Sequence, residues 1–346
     1  MCNIAGYVGE KQAAPILVEM IKKQEGFAGG FYTGIATIHE GKIYYAKLTG
    51  DTDTLLKETN ALNLPGTIGI IHSRSKSGGG DSWAHPFIGT RDGKECEAYV
   101  ANGYAGKFAV CNEEYSSLGE KLISDGWNFT SKIFAENKNY QTLSDGSQVH
   151  MSDVMCQLIT RNIANGDKAD KAIENAFCTM PNEIVGLLLS LTETDKIFWG
   201  RINRPMMLSF SNGGAYLATT AMAFPKDCEK IITLPANSSG YVKRDGFEAK
   251  PFKKAPAEVA EISERIFEKG IKETRKILKD GEKTFKQIEK HMGTLFEKSD
   301  CMQEALLGYE VLRYLKNFGE INITTSMVDG AKEGLLAPQF KISLKE

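Results

Sequence analysis

The sequence predicts an α+β fold, in which strands build sheets and helices pack on the outer faces of those sheets. Short apolar or alternating runs, broken by Gly, Asn, Asp and Pro, fill most of residues 1–252 and are typical of strands. Helical spacing of apolar residues is confined to a few segments. The length of 346 residues favours two domains over one.

Helices and strands are both predicted before residue 252. Helical spacing predicts helices over residues 13–23, 153–165 and 169–179. Strands are predicted over residues 4–8, 34–39, 42–48, 67–72, 86–89, 98–102, 184–191, 196–201, 206–211, 215–220, 230–234 and 240–244. Two of the helices therefore lie between strand-rich ends, which supports sheets with helices packed outside them.

A domain boundary is predicted after residue 252, where a proline-containing segment changes the texture of the chain. Helices over 256–279, 283–296 and 301–317 follow, with strands over 320–325 and 339–344, an order that resembles a winged-helix module. In the candidate recognition helix Glu304 and Glu310 offset Arg313 and Lys316, whereas DNA binding needs a basic face. We therefore expect residues 253–346 to serve docking or dimerisation and not to bind nucleic acid.

Composition excludes several classes of protein. A net charge of −2 gives no reason to expect nucleic acid or an anionic membrane as partner. The seven cysteines are scattered and form no CxxC pair, which argues against a disulfide framework or a zinc cluster. Neither a signal peptide nor an apolar run of about 18 residues is evident. We expect a soluble, cytoplasmic protein without a cofactor.

Cys2 is the candidate nucleophile, because it directly follows the initiator Met1. Removal of Met1 would leave a thiol and a free α-amino group on one residue. That amine titrates at about 7.7–8.0 and could take the thiol proton. The apolar run 4–8 would anchor the nucleophile as a buried strand. Taken alone, a cysteine in this position is more often part of a flexible terminus.

Two further segments carry groups suited to a hydrolytic site. Arg74 opens a loop with Ser77 and three consecutive glycines, and its guanidinium could bind a carboxylate bidentately. The alternative is a surface arginine beside a flexible loop, and the lysine-serine or lysine-threonine ending of a P-loop is absent. Asn102 and Gly103 could supply the donors of an oxyanion hole, although Asn-Gly is also a common turn signal.

Ser152 and Asp153 open a predicted helix. The simplest interpretation is capping, since Ser152 suits an N-cap and Asp153 suits the positive end of a helix. The functional interpretation makes Asp153 the partner of a substrate ammonium group.

The order of these segments resembles the class II glutamine amidotransferase (glutaminase) domain of the N-terminal-nucleophile hydrolases, found in glucosamine-6-phosphate synthase and related amidotransferases. The resemblance rests on Met-Cys-x-Ile-x-Gly-Tyr-Val at the start, His-Ser-Arg at 72–74, Ala-Asn-Gly at 101–103 and Ser-Asp at 152–153. It covers about residues 1–250 and implies a four-layer αββα sandwich that hydrolyses L-glutamine to glutamate and ammonia.

The resemblance also implies roles for individual residues. The thiol of Cys2 would be the nucleophile and its α-amine the general base. Asn102 and Gly103 would form the oxyanion hole. Arg74 and Ser77 would bind the α-carboxylate of glutamine, and Asp153 would pair with its α-ammonium group. No sugar-isomerase, phosphoribosyltransferase or synthetase domain follows in the chain, so we expect the ammonia to pass to a separate synthase subunit. A homo-oligomer is compatible with the sequence.

The sequence departs from the family at three places. Asn3 stands where the family usually has glycine, and residues 28–32 match the family's Arg-Gly-Tyr-Asp-Ser segment poorly. The loop after Arg74 lacks the Trp, Thr and His of the family's Arg-Trp-Ala-Thr-His-Gly. Two alternatives therefore stay open: an amidase acting on a different linear amide, and a catalytically silent glutamine-binding or scaffolding module.

Overall fold

The computed structural model of the chain describes residues 2–134, 140–211, 213–297 and 301–345. In chain order the strands are β1 (Asn3–Gly9), β2 (Tyr32–His39), β3 (Lys42–Thr49), β4 (Ile68–Arg74), β5 (Phe87–Arg91), β6 (Lys94–Tyr104), β7 (Gln141–Thr142), β8 (Gln148–Val149), β9 (Glu183–Ser190), β10 (Ile197–Arg201), β11 (Met207–Ser211), β12 (Gly214–Ala218), β13 (Ile231–Thr233), β14 (Ser238–Lys243), β15 (Gly246–Pro251), β16 (Ile321–Asp329) and β17 (Leu336–Leu344). The α-helices are α1 (Ala13–Lys22), α2 (Glu25–Ala28), α3 (Thr52–Glu58), α4 (Asn112–Ser124), α5 (Met151–Ala164), α6 (Ala169–Thr179), α7 (Glu264–Leu278), α8 (Phe285–Gly293) and α9 (Glu304–Asn317).

Two antiparallel sheets stack face to face. The first has the strand order β13-β11-β12-β1-β4-β2-β3, and the second has the order β15-β14-β10-β9-β6-β5. Aliphatic side chains from both inner faces, such as Ile4 and Ile70 from the first sheet and Val100 and Leu187 from the second, are buried together between them. Burial of these side chains stabilises the stack through the hydrophobic effect.

Helices cover the outer face of each sheet. Leu17 and Ile21 of α1 pack with Ile71 of the first sheet, whereas α5 and α6 pack on the second sheet through Leu158 and Ile173. The layers therefore run helix, sheet, sheet, helix. The predicted α+β class is confirmed, and no helix among the described residues is both long and apolar enough to cross a bilayer.

The C-terminal module, defined here as α7, α8, α9, β16 and β17, has its own hydrophobic cluster. Ile288 of α8 and Leu312 of α9 are at its centre, and Phe27 of α2 also belongs to it. In return, Leu306 of α9 is buried in the cluster around α1. The C-terminal module is thus packed against the first sheet's side of the sandwich.

The structure corrects two boundaries and adds six elements. The helix predicted over 256–279 begins only at Glu264, because the Ser263 side chain caps it by accepting from the Ile266 amide at 3.3 Å. Before that cap the chain is extended and forms a bridge between Val259 and Cys301, so the next helix also begins later, at Glu304. The other predicted strands and helices are present, whereas α2, α3, α4, β7, β8 and β15 were not predicted.

Candidate active site

A cavity of about 480 Å³ opens where the ends of β1, β4 and β6 come together. Its lining includes four of the residues singled out in the sequence, namely Cys2, Arg74, Ser77 and Gly103. The rest of the lining is made by Ser75, His85, Ala101, Tyr104, Ala105, Gly106, Ala109, Tyr140, His150, Met151, Ser152 and Ile184. A cavity of about 670 Å³ beside Arg201 is larger, but Cys2 does not line it.

Cys2 lies directly before β1 and is only 8% exposed. Its backbone nitrogen donates to Asn102 Oδ1 at 3.0 Å, and its Sγ lies 3.8 Å from Ser75 Oγ. Cys2, the predicted nucleophile, therefore has a contact to each sheet. Ser75 follows β4 of the first sheet, and Asn102 belongs to β6 of the second. Met1 lies outside the described residues.

Asn102 and Gly103 lie near the end of β6 beside Cys2, opposite Val185 and Ile184 of β9. Asn102 is fully buried, and while its Oδ1 accepts from Cys2, its Nδ2 has no hydrogen-bond partner among the described residues. A buried amide donor without a partner is costly unless a ligand satisfies it. Gly103 is required by close packing, since a Cβ there would lie 2.6 Å from the Glu183 carbonyl oxygen.

Arg74 ends β4 and is 1% exposed. Its guanidinium donates to the Gly78 carbonyl at 2.9 Å and to the Tyr140 hydroxyl at 2.9 Å, and it lies 4.6 Å from the centre of the Tyr32 ring. The side chain is therefore fixed at the cavity wall and is not a surface arginine. Ser77 lines the same cavity.

The three glycines after Ser77 have backbone conformations that favour glycine. Gly78, Gly79 and Gly80 have φ angles of 83°, 90° and 60°. A Cβ on Gly79 would also lie 1.9 Å from the Trp83 ring. The glycine run therefore shapes a defined loop over Trp83.

Like Asn102, Asp153 is a predicted site residue that does not line the cavity. It lies in the first turn of α5 and is fully buried, where Oδ2 accepts from the Ser131 amide at 2.8 Å and Oδ1 from Gln157 Nε2 at 3.1 Å. Burial raises the pKa of this carboxyl group. The predicted capping residue is also different, because His150 Nδ1 accepts from the Ser152 amide and Ser152 itself belongs to the helix.

Three buried histidines cluster at the cavity, where His85 and His150 belong to the lining, and none of the three was predicted to be functional. His72 stacks on His85 with ring centres 3.9 Å apart, and His150 lies edge-on to His85 at 5.2 Å. Burial, followed by nearby positive charge, lowers the pKa of all three, that of His72 to about 3. They are therefore neutral near pH 7. The sequence could have indicated His85, because it is a polar residue between the apolar residues Trp83, Ala84 and Phe87.

A metal centre is not formed by the residues that the structure describes, since they contain no group of three or more His, Cys, Asp or Glu side chains arranged to hold an ion.

The chain is similar in sequence to known enzymes. No protein-family model matches the chain. The chain is 26% identical over 266 residues to the isomerizing glutamine–fructose-6-phosphate aminotransferase of Pyrococcus horikoshii, covering 76% of this chain and 40% of that protein. It is also 26% identical over 316 residues to the enzyme of the same name from Chlorobaculum tepidum, covering 89% of this chain and 45% of the relative. The chain is thus similar in sequence to glutamine–fructose-6-phosphate aminotransferases.

Solved structures support the same relationship at the level of the fold. Glutamine phosphoribosylpyrophosphate amidotransferase from B. subtilis superposes with a TM-score of 0.57 at 15% identity, covering 73% of this chain and 49% of the other. A structure titled as the allosteric regulatory enzyme of purine biosynthesis gives a TM-score of 0.58 at 15% identity, covering 78% and 52%. The amidotransferase fold is thus common to all of them, while the chain spans less than half the length of the curated relatives it matches.

Proposed function

We propose that the chain hydrolyses the side-chain amide of L-glutamine, with Cys2 as the nucleophile. The observation that carries the proposal is the position of Asn102, whose Oδ1 holds the Cys2 nitrogen while its buried Nδ2 has no partner among the described residues. One side chain thereby binds the residue that attacks and offers a donor for the charge that develops on the carbonyl oxygen. The Gly103 backbone, which lines the same cavity, supplies the second donor.

The reaction proceeds through a covalent thioester once Met1 has been removed. Cys2 Sγ attacks the amide carbon, and the thiol proton passes to the Cys2 α-amine. The carbon–nitrogen bond then breaks, the amine returns the proton to the leaving nitrogen, and ammonia departs. Water attacks the γ-glutamyl thioester, the amine accepts a proton from it, and the thiol is restored as glutamate leaves.

Arg74 and Ser77 bind the α-carboxylate of the substrate in this proposal. Arg74 is buried and positively charged, and it faces the same cavity as the Cys2 thiol. A guanidinium binds a carboxylate with two parallel hydrogen bonds, which also orients the amide toward the nucleophile. The Tyr140 hydroxyl, which accepts from Arg74 at 2.9 Å, shares this end of the cavity.

A second candidate substrate is a linear amide that has a carboxylate but no α-ammonium group. It is favoured by the contacts of Asp153, whose carboxylate would have to leave the Ser131 amide and Gln157 to reach the cavity. No Asp or Glu side chain lines the cavity among the described residues. The pairing of Asp153 with the glutamine ammonium group stays a prediction.

The fate of the ammonia is part of the proposal. We propose that a synthase partner receives the ammonia, since the two curated relatives are glutamine–fructose-6-phosphate aminotransferases. A separate synthase subunit as the acceptor stays a prediction. The domain division at residues 252 and 253, the winged-helix likeness and the docking role of residues 253–346 stay predictions, as does a cytoplasmic location.

Replacement of the nucleophile tests the proposal. We expect Cys2→Ala to reduce glutamine hydrolysis by on the order of 10⁴-fold or more, since no other group replaces the attacking thiol. Cys178→Ala is the matched control, because Cys178 is an exposed cysteine outside the cavity lining. Retained hydrolysis in Cys2→Ala would exclude Cys2 as the nucleophile, and an inactive wild-type protein with an intact processed N-terminus would support the silent binding module.

Substrate comparison separates the two candidates. Glutaramate has the amide and the carboxylate of glutamine but lacks the α-ammonium group. If glutamine is the substrate, kcat/KM for glutamine should exceed that for glutaramate by about tenfold or more, the range expected for one charge-assisted contact. Equal values for both compounds would favour the second candidate.

A further inference from the structure

Asn3, the residue that departs from the family pattern, is in contact with the C-terminal module. It is the first residue of β1, it is fully buried, and it pairs with Ser73 across the sheet. Its Nδ2 donates to the Tyr309 hydroxyl at 3.2 Å. Tyr309 is on α9, 306 positions from Asn3 in the chain. It thus contacts the residue directly after the proposed nucleophile, Cys2.

Tyr309 is itself held rigidly. Its ring stacks on Phe285 of α8, with centres 3.9 Å apart and planes at 13°, and it lies edge-on to Phe27 at 5.5 Å. Burial raises the pKa of Tyr309 above its ordinary value, and negative charge on Glu289 and Cys2 would raise it further. The phenol is therefore a neutral, fixed hydrogen-bonding group beside the nucleophile.

Helix α9 is fastened to the sandwich close to Tyr309. Its first residue, Glu304, accepts from Arg204 at 2.9 Å, and Arg204 also pairs with Glu183 of β9 at 2.6 Å. All three side chains are nearly buried, with Arg204 at 1% exposure. Glu183 is adjacent to Ile184, which pairs with Gly103 across β6 and β9. Helix α9 is thus tied to the strand pair that carries the proposed oxyanion hole.

We propose that Tyr309 is a positioning residue for Cys2 and that it acts through Asn3. A nucleophile at the start of a chain tends to fray, and a small displacement from the reactive geometry lowers turnover strongly. The hydrogen bond from Asn3 to Tyr309 fixes the first residue of β1 and thereby keeps the Cys2 nitrogen on Asn102. This inference rests on the proposed function and adds that the C-terminal module takes part in it.

Three variants test the proposal. Tyr309→Phe keeps the stacked ring and removes the hydroxyl, Asn3→Gly restores the usual family residue, and the third variant combines both changes. Each single change should lower kcat by about three- to tenfold with little effect on KM, as expected from loss of one buried hydrogen bond. The double variant should be no worse than the more impaired single variant, because both changes remove the same contact.

The rate at which iodoacetamide alkylates Cys2 gives a second readout, and this rate should rise in the variants in which kcat falls. If the anchor is lost, Cys2 becomes more accessible, so its alkylation at fixed pH should become about three- to tenfold faster in both single variants. Cys156 is fully buried in the same chain, and its alkylation reports global unfolding. Tyr314→Phe is the matched control, because Tyr314 lies on α9 but packs on Phe267 and Phe318.

The outcomes separate this inference from the proposed function. Wild-type kcat and alkylation rate in Tyr309→Phe, or additive losses in the double variant, would overturn the role of Tyr309. Parallel acceleration at Cys2 and Cys156 would also overturn it, since that pattern means general destabilisation. If the wild-type protein does not hydrolyse glutamine, the proposed function fails, while the alkylation rates still decide whether Tyr309 positions Cys2.

Discussion

The two sides of the cavity are built differently. The nucleophile wall, named for the proposed nucleophile, consists of Cys2, Arg74 and Gly103, with Asn102 hydrogen-bonded to Cys2 but outside the cavity lining. All four lie at the ends of strands β1, β4 and β6 or next to them. The helix wall, formed by His150, Met151 and Ser152, consists of the residues at the start of α5. The two walls contribute to the same cavity, but strands fix the first and a helix start fixes the second.

The difference between the walls explains which site residues lie where the sequence places them. Pairing of β6 with β9 and of β1 with β4 sets the side of the sheet to which each strand residue points. A residue in the first turn of a helix has no such constraint, and its side chain follows the local hydrogen-bond donors. Asp153 accordingly turns to the Ser131 amide and Gln157, away from the cavity.

After the loss of Cys2 itself, removal of the side-chain amide at position 102 should lower activity the most. In Asn102→Ala the donor to the developing oxyanion and the acceptor for the Cys2 nitrogen are both lost. We expect kcat for glutamine to fall by about 100- to 1,000-fold, as for other oxyanion-hole donors. Asn182→Ala is the matched buried control, because its Nδ2 donates only to the nearby Met180 carbonyl. A loss below about tenfold would remove Asn102 from the oxyanion hole.

Titration of Glu25, which contacts the residue before Arg74, should make the protein's free energy of unfolding depend on pH. Its carboxylate is buried and accepts from Thr52 and from Ser73, the residue before Arg74. Burial raises its pKa from 4.5 to about 7, although those hydrogen bonds act in the opposite direction. Between these values the unfolded state has already lost the proton, so the free energy of unfolding decreases as pH rises from 4.5 to about 7.

Glu25→Gln tests this effect. We expect the variant to gain stability relative to wild type across the same pH interval, by up to about 3 kcal/mol at pH 7. Urea unfolding at several pH values measures the difference, with the exposed Glu19→Gln as control. A difference between variant and wild type that does not change with pH would show that Glu25 is ionised in the folded protein throughout.

Asp153→Asn should have the smallest effect and sharpens the comparison on the helix wall. The change weakens a buried acceptor of the Ser131 amide, so it should cost about 1–2 kcal/mol of stability. KM for glutamine should stay within about threefold of wild type, because the carboxylate does not line the cavity. Asp125→Asn, at the exposed end of α4, is the control. A tenfold rise in KM that is specific to glutamine over glutaramate would establish Asp153 as the ammonium partner.

Much of the sandwich could be predicted from the sequence, because alternation and apolar runs act locally. The failures also have local causes. Residues 256–263 look helical by composition, but Ser263 is the better cap and the preceding chain pairs with Cys301. Strand β15 follows a two-residue turn at Arg244 and Asp245, and the Asp-Gly sequence at 245–246 is a hairpin signal that could have predicted it.

The role of Asn3 could not be predicted from the sequence. Its partner Tyr309 is 306 residues away, and nothing in the spacing of either residue indicates the contact. The three buried histidines are similar, since His72, His85 and His150 come together only when β4, the segment before β5 and the start of α5 are assembled. Long-range polar contacts of this kind follow from the tertiary fold, whereas strand-end residues follow from periodicity.

Phe27 and Leu306 each pack in the hydrophobic cluster of the other part of the chain, and this affects how cooperatively the protein unfolds. Phe27 belongs to the cluster of the C-terminal module, and Leu306 belongs to the cluster around α1. Each part of the chain therefore completes the interior of the other, and neither can melt without exposing apolar surface of its neighbour. Heating should give one calorimetric transition for the whole chain, and a chain truncated after residue 252 should unfold at a lower temperature than the intact protein.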